Sequence, residues 1–253
     1  VKFKVLLTLF FLSCGTGHLQ AAEVLVAVAS NFTRTLEKIA PEFERTSGHS
    51  VTLVSGATGR HYAQIVNGAP YDVFLAADAE VTARLEEEGR AVPGTRAVYA
   101  TGRLSLWSRA PGYVDAQGAV LANGEFRRLS IANPRLAPYG EAAVEVLTAL
   151  GQYERLSERL VQGENIAQTY QFVDSGNAEL GLVAYSQVLE SGAAGSYWLI
   201  PEDLHAPLTQ ELIVLKDSAP AREFVAFLLQ PSTLALIGAS GYGVPHTAAA
   251  VKP

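Results

Sequence analysis

Along the chain, short apolar runs rich in β-branched residues alternate with stretches in which apolar residues recur every three or four positions. That alternation predicts a sheet covered by helices. Residues 24–28 read as an apolar strand. Ser30 then stands at a capping position, and Phe32, Leu36, Ile39 and Phe43 fall on one helix face until Gly48 stops the run. Pro41 removes one backbone donor from that stretch, so a kink or a restart is expected there. A second strand over 50–54 leads through the loop 55–59 into a short helix bearing Tyr62 and Ile65, which ends before Gly68. A strand over 73–76 and a charged helix over 81–88 complete this set.

Near residues 100–103 the chain passes into a second set of units: strands over 104–107 and 129–132, helices over 140–150 and 166–173, and a strand over 180–184. It returns around 201–207 to a strand over 212–215, then helices over 221–229 and 234–238. No low-complexity linker and no clear internal repeat separates the sets, so two lobes joined by two crossover strands fit better than two beads on a string. The expected fold class is α/β, each lobe a central, mostly parallel sheet flanked by helices. Residues 23–101 plus 206–253 form the first lobe, and 102–205 the second.

The beginning of the chain follows neither rhythm. Lys2 and Lys4 precede an apolar run of eight residues, 5–12, and small or polar residues then lead to Ala21 and Ala22. This predicts an export signal over 1–22, cleaved after Ala21 or Ala22, because a membrane span needs about 20 apolar residues. The expected destination is the periplasm. Cys14 in Phe11-Leu12-Ser13-Cys14 loosely resembles a lipoprotein processing site, which leaves lipid anchoring as the alternative to a discarded leader. With Cys14 the only cysteine, loss of the leader leaves no thiol for a disulfide, a nucleophile or a zinc site.

Charge narrows the partners. With 19 Lys+Arg against 25 Asp+Glu and no basic run beyond Arg127-Arg128, the chain lacks the footprint that duplex nucleic acid requires. The absence of a preceding helix-turn-helix segment also argues against a regulator's effector domain. Catalytic signatures are missing too. The five histidines are scattered, none paired at helical metal spacing, and read as packed or solvated residues. There is no Gly-x-Ser-x-Gly elbow, and the loop Gly56-Ala57-Thr58-Gly59-Arg60 is too short for a phosphate-cradling Walker loop. No cofactor, free metal ion or enzymatic activity is expected.

What remains is a set of hydroxyl and amide residues where a strand or loop turns into a helix: Ser30 and Asn31, Thr58, and Tyr139 with Gly140, while Ile166 starts another helix. Helix N-termini carry unpaired N–H groups and about half a positive charge, so several converging on one point form an anion site without Lys or Arg. Each hydroxyl is also, taken singly, an ordinary N-cap. Periodicity does not decide between the two.

The runs Val26-Ala27-Val28-Ala29-Ser30-Asn31-Phe32, Ser55-Gly56-Ala57-Thr58-Gly59, Asn67-Gly68-Ala69-Pro70-Tyr71-Asp72-Val73-Phe74 and Gly163-Glu164-Asn165-Ile166 closely resemble the periplasmic molybdate-binding proteins of ABC transporters. The resemblance extends to Gly241-Tyr242-Gly243-Val244-Pro245. It implies the two-lobe periplasmic binding protein fold, with an oxyanion in the cleft, and a monomer that delivers molybdate or tungstate to a membrane permease. It implies a ligand set of Ser30, Asn31, Thr58, Tyr139 and the backbone N–H of Ile166. Some members place a ligand tyrosine where this chain has Ala184 and a small residue where it has Tyr139, so Tyr185 is not expected to bind. Such a set offers donors and no carboxylate acceptor, which suits a fully deprotonated dianion and disfavours phosphate, still protonated near neutrality. Sulfate meets the same condition and stands as the alternative ligand; a weaker alternative is an enzyme acting on an anionic substrate.

Overall fold

The computed structural model describes residues 21–245. The predicted leader up to residue 20, with Cys14 and His18, and His246 lie outside the described residues.

Two five-stranded sheets form the frame. The first contains β1 (Glu23–Ala29), β2 (Ser50–Gly56), β3 (Val73–Leu75), β4 (Ala97–Gly102) and β10 (Leu208–Val214), in the order β2-β1-β3-β10-β4. The second contains β5 (Leu104–Ser108), β6 (Leu129–Ala132), β7 (Leu160–Gly163), β8 (Leu180–Ala184) and β9 (Ser196–Leu199), in the order β7-β6-β8-β5-β9. In each sheet the outer three strands on one side are parallel, and the two on the other side run antiparallel to their neighbours. The antiparallel pairings arise because the chain crosses between sheets twice, from β4 to β5 through Arg103 and from β9 to β10 through residues 200–207. The shared arrangement of the two sheets leaves no trace as a sequence repeat.

Helices cover the sheets: α1 (Thr33–Ser47), α2 (Thr58–Val66), α3 (Glu80–Glu87), α9 (Ala219–Leu228) and α10 (Pro231–Ala239) belong with the first, and α4 (Val120–Asn123), α5 (Pro138–Ala149), α6 (Tyr153–Leu156), α7 (Ile166–Asp174) and α8 (Tyr185–Ser191) with the second. The periodic residues of α1 do what their spacing predicts. Phe32, Leu36, Ile39 and Phe43 are buried against Val24, Val26 and Val28 of β1 and Phe224 of α9. Burial of each such side chain contributes roughly 1.5 to 3 kcal/mol. Gly48 ends the helix at φ 76°, a left-handed position, with its N–H on the Glu44 carbonyl. Of the two outcomes expected at Pro41, a restart is excluded, since α1 runs from Thr33 to Ser47 as one helix. Pro41 and Glu37 are both exposed, so water replaces the donor that the Glu37 carbonyl loses.

Several elements escape the sequence pattern. β7 and β9 are only four residues long, and β10 begins at Leu208, four residues before the expected start. The early part of β10 contains Thr209 and Gln210 within the sheet, and a polar residue in a strand interior interrupts the apolar pattern.

The strand order positions the site. β1, β2, β6 and β7 are the parallel strands whose carboxyl ends lead directly into α1, α2, α5 and α7. In open α/β sheets, that edge is where ligands bind.

Candidate anion-binding site

Ser30, Asn31, Thr58, Tyr139 and Ile166 are all buried, although four carry polar side chains. A chain of contacts joins them. Ser30 lies against the first turn of α7, beside Ile166: the Ala167 N–H donates to Ser30 Oγ at 3.3 Å. Asn31 and Tyr139 share one partner, Gln210, through Asn31 Nδ2 to Gln210 Oε1 at 3.0 Å and Gln210 Nε2 to Tyr139 Oη at 3.2 Å. Behind Thr58, the Gly59 N–H donates to the Leu136 carbonyl at 2.9 Å, tying α2 to the loop before α5. Ala29, Ala57 and Ala77 from the first lobe pack in the same apolar cluster as Tyr139 and Ile166 from the second. The two lobes are therefore in contact around these residues.

The capping reading of the two small hydroxyl residues does not hold. The N-cap of α1 is Phe32, with no side-chain capping bond, and the N-cap of α2 is Ala57, which puts Thr58 inside the first turn. Their oxygens serve another purpose. Thr58 Oγ1 accepts the Ala77 N–H at 3.1 Å, as Ser30 Oγ accepts that of Ala167 and Tyr139 Oη the amide of Gln210. A hydroxyl has one proton and two lone pairs, and an N–H placed on a lone pair turns the proton elsewhere. All three hydroxyls are thus arranged as donors. Among the described residues, the backbone N–H groups of Asn31, Thr58 and Ile166 make no hydrogen bond, as expected at helix starts. The cap of α7 is Asn165, whose side chain accepts the Gln168 N–H and leaves that of Ile166 available.

Asn31 departs from the expectation in detail. Its Nδ2 donates to both Gln210 Oε1 and Tyr242 Oη, at 3.0 and 3.2 Å, and its buried Oδ1 has no partner. Both amide protons are thereby engaged, so the free donor of Asn31 is its backbone N–H.

Burial raises Tyr139 well above the ordinary phenol value, and charge on neighbouring Tyr242 would raise it further. Tyr99 and Tyr242, also buried, are raised in the same direction and chiefly for the same reason. All three keep their protons at neutral pH, as a hydrogen-bond donor to an anion must. Two carboxylates act on this network: Glu190 on Tyr242, and Asp78 on Tyr99, the latter raised by burial with Oδ1 accepting the Val81 N–H at 2.8 Å. Tyr185 lies elsewhere, its Oη 3.4 Å from that of exposed Tyr197. His49 and His61 are buried in packing roles, the latter with Nε2 against the Val28 carbonyl at 3.2 Å. Among the described residues no cluster of three or more His, Cys, Asp or Glu is arranged to hold a metal ion, and no helix is long and apolar enough to cross a membrane.

Sequence reasoning missed Gln210, Tyr99, Tyr242 and Glu190. Tyr242 stands in a motif that signalled the family, but nothing in its spacing reveals that its hydroxyl returns to Asn31, 211 residues away.

Two lobes of mixed sheet joined by two crossings, with buried donors between them, define a binding protein that encloses a small anion. Residues 24–243 match the family described as bacterial extracellular solute-binding protein. The chain is 52% identical over 230 residues to the molybdate-binding protein ModA of Azotobacter vinelandii, covering 89% of this chain and 91% of that one. It is 45% identical to the ModA of Rhodobacter capsulatus, covering 88% of each. The solved structure of the Azotobacter vinelandii periplasmic molybdate-binding protein superposes with a TM-score of 0.85 at 42% identity, over 88% of this chain and all of that one. A sulfate-binding protein, SubI of Mycobacterium tuberculosis, shares the fold at a TM-score of 0.74 but is 14% identical, so the fold alone does not choose the ion. The chain belongs to the bacterial extracellular solute-binding proteins, and within them to the molybdate-binding proteins of ABC transporters.

Proposed function

We propose that this protein captures molybdate, and tungstate with it, between its lobes outside the cytoplasm and delivers the anion to the permease of an ABC transporter. The observation that carries the reading is the polarity of the site: three hydroxyls with lone pairs occupied by protein N–H groups, beside three free backbone N–H groups. Ser30, Asn31, Thr58, Tyr139 and Ile166 are the ligand set in this reading, Asn31 through its backbone. Charge-assisted hydrogen bonds contribute roughly 1.5 to 3 kcal/mol each, so a handful offsets the desolvation of a dianion. Molybdate, tungstate and sulfate need donors only; hydrogen phosphate also needs an acceptor for its proton, and the ligand set offers no carboxylate for it. Relatives at 52% and 45% identity named for molybdate favour the larger ions over sulfate. The chain carries its anion unchanged, exported by its leader and acting as a monomer.

The test is calorimetric titration of the mature, ligand-stripped protein with molybdate, tungstate, sulfate and phosphate in one buffer. Tight one-to-one binding of molybdate and tungstate, with no heat from sulfate or phosphate, is expected. Binding of sulfate alone would keep the donor site and overturn the assigned ion.

The lobes divide, in this reading, at the two crossings, into 23–101 with 206–253 and 102–205, and close on the ligand about that hinge. Glu190 of α8 reaches α1 across the interface, where its Oε1 accepts Thr35 Oγ1 at 2.8 Å and Lys38 Nζ at 3.0 Å. Its carboxylate is buried while Lys38 is exposed, so screening discounts the ion pair. Glu190→Ala is expected to lower the closed fraction and weaken molybdate binding by about 1 kcal/mol, roughly fivefold, with a larger radius of gyration in solution scattering. Unchanged affinity and radius would remove Glu190 from closure.

A further inference from the structure

We propose that Gln210 is a positioning and selectivity residue of the anion site: its side-chain amide fixes the direction of the Tyr139 hydroxyl proton, turning it away from Gln210, and so keeps that proton free to donate to the anion. This rests on the reading of the cleft as an oxyanion site and adds to it a residue that does not touch the anion.

The direction follows from a chain of hydrogen bonds whose first member cannot rotate. The backbone carbonyl of Asn31 accepts the Tyr242 hydroxyl at 2.7 Å, which uses the single proton of Tyr242. Tyr242 Oη is then an acceptor toward its other neighbours, Ser186 Oγ at 2.9 Å and the Asn31 side chain at 3.2 Å. The Asn31 atom facing it is consequently the amide nitrogen, the only donor on that side chain. The same nitrogen lies 3.0 Å from Gln210, so the Gln210 atom there is the carbonyl oxygen, which Tyr99 Oη also approaches at 2.9 Å. The remaining end of Gln210 is therefore Nε2, 3.2 Å from Tyr139 Oη. Nε2 occupies a lone pair of that oxygen, and the Tyr139 proton points away from Gln210. Reversing the amide would set nitrogen against nitrogen at Asn31 and give the Tyr139 proton a carbonyl to bind, leaving only lone pairs for the cleft.

The backbone builds room for this arrangement. Gln210 is fully buried, at the irregularity where the pairing of β10 with β4 shifts register between Gln210 and Glu211. Gly102 closes β4 at the first crossing; a Cβ there would lie 2.3 Å from Tyr139 Oη and 2.7 Å from Gln210 Nε2. The missing side chain is what allows the hydroxyl and the amide to meet beside the hinge.

The consequence is selectivity. An anion that retains a proton needs an acceptor, and a tyrosine free to rotate would supply one. With Gln210 in place, the Tyr139 proton is directed away from the amide and favours an anion oxygen that carries no proton.

The test is a double-mutant cycle on the full mature chain, read by titration with sodium molybdate. Gln210→Met removes both ends of the amide at similar volume and is expected to weaken binding roughly tenfold in the wild-type background and less than about twofold in Tyr139→Phe, because the residue acts through that hydroxyl. An equal loss in both backgrounds would overturn the proposal and leave Gln210 a packing residue. Gln210→Glu supplies a second reading that does not depend on how the first variant packs. Its carboxylate accepts the Tyr139 proton and adds a negative charge, so binding is expected to fall roughly 100-fold at about pH 8 and to recover about tenfold at about pH 5.5, as the new carboxyl protonates and donates again. The titratable groups around position 210 are Tyr99, Tyr139 and Tyr242, which stay protonated at both pH values, with the carboxylates of Asp78 beside Tyr99 and Glu190 beside Tyr242, for both of which the wild-type chain is the reference. A loss in the Gln210→Glu variant that does not change with pH would also overturn the proposal. If the wild-type chain binds no molybdate at all, the oxyanion reading itself falls; if it binds and the cycle is additive, only the role of Gln210 does.

Discussion

Tyr139→Phe is expected to weaken molybdate binding by about 1.5 to 3 kcal/mol, roughly 10- to 150-fold, while the chain remains folded. The hydroxyl is fully buried, held neutral by burial, and aimed by Gln210 Nε2 at 3.2 Å. Phenylalanine keeps the ring, which packs in the apolar cluster with Ala142, Ala143 and Leu182, and deletes only the donor. It also leaves one amide proton of Gln210 without an acceptor, a cost to the folded chain with or without ligand. Affinity and stability should therefore change separately. Calorimetry measures the first and thermal unfolding by circular dichroism the second. Thr58→Ala belongs in the same range, because Thr58 is likewise fully buried and its Oγ1 already accepts the Ala77 N–H. Affinity unchanged in both variants would remove both residues from the site.

Gly140→Ala is expected to destabilise the fold by about 3 kcal/mol, since overpacking against groups that cannot move sits at the upper end of its usual range. A Cβ on Gly140 would stand 2.3 Å from the Ala132 carbonyl oxygen and 2.8 Å from backbone carbons of Ala132 and Asn133. These are main-chain atoms at the end of β6, and no rotamer change relieves the contact. Either α5 moves away from β6 or the strand end distorts, and Tyr139, the preceding residue, moves with the helix. Chemical denaturation should show a lower midpoint, and molybdate affinity should fall too. Wild-type stability in this variant would mean that α5 is free to slide, which would contradict the close helix–strand approach.

Much of the fold is legible in the sequence because its signals are local. The face made by Leu36, Ile39 and Phe43 and the left-handed stop at Gly48 are set by neighbours within four or five residues. The strand over 180–184 is a continuous run of apolar residues and glycine, that over 129–132 is apolar but for Ser130, and both occur where expected. The passage into the second set of units near residue 103 is also visible, although β4, which ends at Gly102, is not among the strands the pattern picks out. β7 and β9 are not, being four residues long with no periodicity to register. Pro41 does not restart the helix, because a helix interior tolerates proline when the orphaned carbonyl reaches water, and only the orientation of α1 decides that.

The candidate site divides along the same line. The types of residue at the strand-to-helix turns, and the resemblance they support, are properties of the sequence: Ser30, Asn31, Thr58, Tyr139 and Ile166 can be picked out from it. Their chemical direction is not. A serine or threonine before a helix looks the same whether it caps that helix or accepts a bond from elsewhere in the fold, and here Ser30 receives its N–H from a residue 137 positions away. Gln210 has no signature at all, since a lone polar residue in a strand acquires meaning only from Tyr139, Tyr99 and Asn31, brought to it by three other parts of the chain. The sequence by itself determined the α/β class, the two sets of units and the kind of hydrogen-bonding groups available, because periodicity and composition act over a few residues. Only the tertiary structure decided which lone pairs are occupied and which protons are free, because a hydrogen bond is set by a partner's position in space.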